Sequence, residues 1–183
     1  MAGATFTGNS AGQQGGAVYN AAASFLTLSG TNTFSDNTAN GVDNDVHNAG
    51  TMTVESGVTK LNSGYTQEGA SSSLNVNTGA SLAIALPDMG GVTASQNEAL
   101  LALGQQLDLG EGKLRVGNVA ANNAAQVAFG NNSLLVVDGK AAGTGAMITG
   151  TGAISVADGS QLYIADAQAG KAYTITDGLS SAE

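Results

Sequence analysis

The feature that most constrains this chain is a phrase written twice near its start. FTGNSAGQQGGAVYNA, Phe6 to Ala21, aligns without a gap on FSDNTANGVDNDVHNA, Phe34 to Ala49, at an offset of 28 residues. Phe6/Phe34, Asn9/Asn37, Ala11/Ala39, Val18/Val46, Asn20/Asn48 and Ala21/Ala49 are identical, and Thr7/Ser35 and Ser10/Thr38 are near matches. A duplication of this length points to a solenoid, whose units bury their apolar faces only by stacking on one another.

Each copy runs into an alternating segment, Leu26-Thr27-Leu28 before Gly30 and Met52-Thr53-Val54 before Gly57. Such alternation predicts half-buried strands. Here the offset is 26, so two residues are lost in the connecting turn. Further on, short apolar runs close on Asp-Gly, Thr-Gly or similar turns: Ser73–Val76, Ala80–Leu86, Lys113–Gly117, Leu134–Val137, Ile154–Val156, Leu162–Ile164 and Tyr173–Thr176. Composition agrees with repeated tight turns, since the chain of 183 residues has 27 Gly, 1 Pro and only 4% aromatic residues. At 20 to 28 residues per turn the chain holds roughly seven or eight turns.

One stretch departs from this pattern. Between Pro87 and Leu107 the strand signal fades, and Ser95-Gln96-Asn97-Glu98 has the form of a capping box ahead of Ala99, Leu100, Leu101, Ala102 and Leu103. The spacing predicts a short helix near residues 95–104, with its leucines resting on the stack. The organisation is thus one segment over 1–183: long repeats at 1–57, short strand-turn units at 58–86, an insertion at 87–107, and C-terminal strand-turn units at 108–183.

Leucine-rich, helical and calcium-binding nonapeptide repeats lack their signatures here, which leaves an all-β chain wound as a parallel β-helix. In that geometry Phe6/Phe34 and Val18/Val46 are expected to stack in the core, and Asn9/Asn37 and Asn20/Asn48 at bends. FTGN and FSDN resemble the FxxN motif, and GGAVYN the GGA[ILV] motif, of polymorphic outer-membrane proteins and related autotransporter passengers. NDVHNAGTMTVESG, Asn44 to Gly57, is similar to the phrase that closes such repeats. The second copy departs from the pattern, with Asp43-Asn44-Asp45 in the place of GGA. The resemblance implies a right-handed, single-stranded parallel β-helix displayed on the surface of a Gram-negative bacterium, as an adhesin or as the stalk that presents one. The export barrel that the family carries is expected outside this segment. Partners implied are host glycans or surface proteins, and open strand edges at both ends are expected to favour self-association.

The net charge of −9, from 14 acidic and 5 basic residues, argues against phosphate-neutralising contacts with nucleic acid or anionic lipid. No cysteine is present, which excludes disulfides and thiolate metal sites. His47, the only histidine, is expected to face outward beside the inward Val46, as an exposed ladder position rather than a catalytic base. Asp36, Asp43 and Asp45 lie near one corner. They give the chain an alternative reading as a carbohydrate-active β-helix domain that binds or cleaves glycan, with two carboxylates on one face, or as a weak calcium site; a surface fibre segment is a further alternative. The turn reading of these residues is simpler, and no catalytic, cofactor or metal residue is assigned.

Overall fold

A computed structural model describes residues 1–181; residues 182 and 183, the end of the expected unit 108–183, lie outside the described residues. Nearly all regular structure is extended, and strands far apart in sequence lie side by side. One sheet runs in the order Thr5–Thr7, Thr31–Ser35, Gly57–Leu61, Ala80–Ile84, Ala99–Leu103, Ser133–Asp138 and Gln161–Ala165. A second runs Phe25–Leu28, Thr51–Val54, Ser73–Val76, Lys113–Val116, Val127–Phe129, Ala153–Val156 and Ser180–Ser181. Every pairing in these two sheets is parallel. A shorter sheet joins Val18–Asn20, Val46–Asn48 and Tyr65–Gln67. The arrangement is compatible with a β-helix or another solenoid.

The duplicated phrase sets the register. Phe6 pairs with Phe34, Val18 with Val46 and Asn20 with Asn48, each across the offset read from the sequence. The Phe6 and Phe34 rings stack with centroids 4.8 Å apart, and Phe34, Val46 and Leu28 are fully buried in one continuous core. The two-residue loss places Leu26 on Met52 and Leu28 on Val54. The asparagines form the expected second ladder: Asn9 Nδ2 donates to Asn37 Oδ1 at 2.8 Å, and Asn20 Nδ2 to Asn48 Oδ1 at 2.7 Å. In a parallel stack each side chain meets its own kind one layer away, so an amide can donate forward and accept from behind.

Unit length changes abruptly after the second copy. Leu61 pairs with Phe34 and Tyr65 with Val46, so residues 62–64 do in the third unit what residues 35–45 do in the second. The longer second unit uses its extra residues for a hairpin, in which Thr38–Ala39 pairs antiparallel with Val42–Asp43. Asn40 and Gly41 turn it with φ of 51° and 73°, as a two-residue hairpin of the right twist requires.

The helix expected near residues 95–104 is not formed. Ala99–Leu103 is a strand, paired to Ser81–Ile84 on one side and Ser133–Val137 on the other. Leu101 and Leu103 enter the main core, whereas Leu100 and Ala102 are buried on the opposite face with Ala83, Val136 and Met89. The segment carrying Met89–Gly91, a single turn of 3₁₀ helix, lies over that outer face. A strand covered on both faces reads as an unbroken apolar run, which periodicity cannot tell from a helix. The Ser95–Glu98 signature is real chemistry in a different setting: Ser95 N donates to Glu98 Oε2 at 2.7 Å, closing a turn that enters the strand. The α-helical turn among the described residues is instead Gly139–Ala142, capped by Asp138. The strand expected at Tyr173–Thr176 is also shorter, limited to Thr176–Asp177.

Two-sided burial of Ala99–Leu103 gives a test. Leu100→Ala and Leu101→Ala are each expected to lower stability by about 2–5 kcal/mol in urea unfolding. A helix lying on the stack could bury adjacent leucines together but not Leu101 and Leu103, two positions apart. Leu103→Ala would there stay within about 0.5 kcal/mol of the parent, whereas in the strand it is expected to lose as much as Leu101→Ala.

Candidate functional site

The polar residues singled out in the sequence gather around the second unit, but not as their spacing suggested. Asp45 is fully buried: its Oδ1 accepts from Asn37 Nδ2 at 2.7 Å and its Oδ2 from Ser63 N at 2.8 Å. Asp36 and Asp43 are exposed. Asp45 therefore shares no accessible face with either and cannot serve as one member of a carboxylate pair at that corner. Among the described residues no three His, Cys, Asp or Glu side chains are grouped to hold a metal ion. Burial pushes the Asp45 carboxyl above the ordinary aspartate range, opposed by the hydrogen bonds from Asn37 and Ser63.

His47, expected to be exposed, is only 5% exposed. It does sit in an outward row, Tyr19–His47–Thr66, fixed by the register of the short sheet. Tyr19 covers one face of the imidazole, with ring centroids 5.4 Å apart and planes 11° from parallel. Thr66 Oγ1 lies 2.9 Å from His47 Nδ1 and accepts from Asn44 Nδ2 at 3.1 Å. On the other side, Nε2 is 3.2 Å from Glu68 Oε2. An N–H at Nε2 would face the Glu68 carboxylate without repulsion, and Nδ1 would then accept from the Thr66 hydroxyl. The Glu68 carboxylate stands off the line of the N–H, leaving Nε2 buried with no hydrogen-bond partner. Alternation placed His47 on the correct face and could not see what lies over it.

Hydroxyl, imidazole and carboxylate in sequence are the parts of a nucleophilic triad, but here they are not aligned to act as one. The threonine hydroxyl already accepts a hydrogen bond from Asn44, and the carboxylate that would orient the ring is itself misaligned and 65% exposed. A third group that does not fix the imidazole cannot hold it in line for proton transfer. The set reads as a polar clasp across three units: Gln14 Nε2 donates to the same Glu68 Oε2 at 3.3 Å, bridging the first unit to the third above His47.

A surface groove of about 710 Å³ lies along the second sheet. Its outward row runs Thr27, Thr53, Asn75, Arg115, Ala128 and Ser155. Arg115 donates to the carbonyl oxygens of Leu114, Gln126 and Asn123, which pins the loop after Val116. Its guanidinium pKa is lowered by burial. Nothing in the sequence pattern marks Arg115, Asn44, Thr66 or Glu68 as members of a site. The Asn40-Gly41 dipeptide is the available signal for the hairpin that brings Asn44 to this corner. Comparison with protein families, with curated proteins and with solved structures finds no match to this chain.

Two outcomes test these assignments. Asp45→Ala is expected to cost about 1.5–3 kcal/mol, from two hydrogen bonds to a buried carboxylate. Because the native pKa is raised, the Asp45 contribution is fullest below the unfolded value of about 3.9 and declines as pH rises through the native value. The stability gap between parent and variant in urea should accordingly narrow with rising pH across that window. For the clasp, Thr66→Val is expected to leave hydrolysis of p-nitrophenyl acetate within about twofold of the parent, whereas a base-activated nucleophile would lose on the order of 10²-fold or more.

Proposed function

We propose that this chain is a right-handed, single-stranded parallel β-helix of roughly seven to eight turns, and that it serves as a non-enzymatic, surface-exposed segment of a bacterial autotransporter passenger. In this role it acts as an adhesin or as the stalk that presents one. The observation that carries the reading is the duplicated FxxN phrase with its GGA[ILV]-like element, whose two copies pair residue on residue in adjacent layers. The shape of the repeat is what a stalk needs, because each unit is supported by its neighbours and the stack can lengthen without a larger core. Surface partners are then host glycans or proteins, met along the lateral polar rows. The alternative of glycan cleavage by Asp36, Asp43 and Asp45 loses Asp45 to burial and keeps two exposed carboxylates.

The test is the location of the segment in cells that express the whole open reading frame containing it. Antibodies raised against residues 1–181 are expected to label intact cells, and external protease is expected to remove that label. Labelling only after the envelope is broken would overturn the reading.

A further inference from the structure

The clasp around His47 closes over a groove of about 380 Å³ whose walls come from three different units. One wall is the Asn40–Gly41 hairpin, which carries Val42 into solvent with 68% of its surface exposed. The loop bearing Gln13 and Gln14 forms another, and Asn44, His47 and Thr66 line the inner side. Behind the wall of this groove two polar atoms closed off from solvent have no hydrogen-bond partner, Asn44 Oδ1 and His47 Nε2. Both residues are more than nine-tenths buried. Turning the Asn44 amide over does not help, since one of its two polar atoms faces Thr66 and the other is left alone. Leaving a buried polar group without a partner is unfavourable, and two at one groove mark the place where something else completes the network.

We propose that this groove binds a neutral, hydroxyl-rich ligand of the size of one pyranose ring. The unmet groups are one acceptor, Asn44 Oδ1, and one donor, the N–H of His47, and a hydroxyl is the simple group that can donate to the first and accept from the second. A vicinal diol does the same with one hydroxyl for each. The further lining groups are the amides of Gln13 and Asn40, which hydrogen-bond in either sense, and the exposed Val42, which offers an apolar surface to the C–H face of a sugar ring. Asp43 in the wall and the absence of Lys or Arg from the lining argue against an anion. Among the described residues no three His, Cys, Asp or Glu side chains group here to hold a metal cation. The exposed Gln14–Glu68 hydrogen bond is the part that must yield, and it is weak enough to do so: both side chains are long and the contact is open to water.

This site deepens the surface-segment reading, on which it rests only for the origin of the ligand. The experiment is a titration of the folded chain with the methyl glycosides of glucose, galactose, mannose and N-acetylglucosamine, with glycerol as the acyclic control. Side-chain amide and imidazole resonances are followed by NMR. At least one glycoside is expected to give saturable shifts at the Asn44 amide and the His47 ring, with a Kd on the order of 1 mM or below. Val42→Asp, at an exposed position outside the core, should weaken that binding at least about fivefold, and Asn44→Ala at least about tenfold, for the loss of one buried hydrogen bond. No saturable shift at these groups, or shifts confined to the Arg115 groove, would overturn the proposal. Glycoside binding that persists when the segment proves not to be displayed would leave the site standing and remove the surface reading. Surface labelling without glycoside binding would do the reverse.

Discussion

Parallel register is the constraint on which everything else in this molecule depends. When a chain returns to the same sheet one layer on, residue meets residue, and a side chain is useful only if it is compatible with its neighbours above and below. Phenylalanine on phenylalanine and valine on valine fill the core. Asparagine on asparagine turns the corner, and here the chemistry of the amide matters as much as its size. Asn48 accepts from Asn20 through Oδ1 and donates from Nδ2 to the Tyr65 hydroxyl, which in turn donates to Gln67. Two unlike residues, Tyr65 and Gln67, thus continue a ladder that began with two like ones, because each member supplies a donor toward the next acceptor. Burial among these groups raises the pKa of the Tyr65 phenol, which keeps the proton that the chain of bonds requires.

The same constraint explains what the sequence could reveal. Where units are copies, register follows from spacing alone, as with Phe6 on Phe34 and Leu26 on Met52. Where units are not copies, the pairing partner is hidden, and with it the environment. Leu100 and Ala102 face outward from their sheet, and only the covering segment at Met89 makes that face apolar. Nothing within ALLAL records the cover, so leucine and alanine read as helix formers, and tertiary pairing overrides that preference. His47 is the same case at the site. Its face is legible from Val46 and its stacking on Tyr19 from the duplication, but its burial also depends on Gln14 and Glu68, which meet only once the third unit is known to pair at Tyr65. Asn32, fully buried and accepting from Ala4 N while donating to Ser29 O, lies outside the duplicated phrase and leaves no mark at all.

The groove at His47 arises where the repeat stops repeating. In the first copy Gly16 sits so close to the second unit that a Cβ would lie 2.4 Å from Asn44 O and 2.6 Å from Thr38 N, which only glycine tolerates. Its counterpart in the second copy, Asn44, has a full side chain, because the third unit spends residues 62–64 where the second spends 35–45. With no hairpin in the following layer, the second unit's hairpin stands without a neighbour on that side. Space opens beneath it, and the positions that replace Gly15-Gly16-Ala17 acquire the polar side chains Asp43, Asn44 and Asp45. Asp45 turns inward and is satisfied by Asn37 and Ser63, Asp43 turns out to water, and Asn44 is left with an acceptor that nothing in the chain reaches. The break in the motif and the unmet polar groups are therefore one event. A connecting segment shortened by eight residues, eleven against three, removes the steric reason for glycine at this corner and leaves a polar hollow in its place.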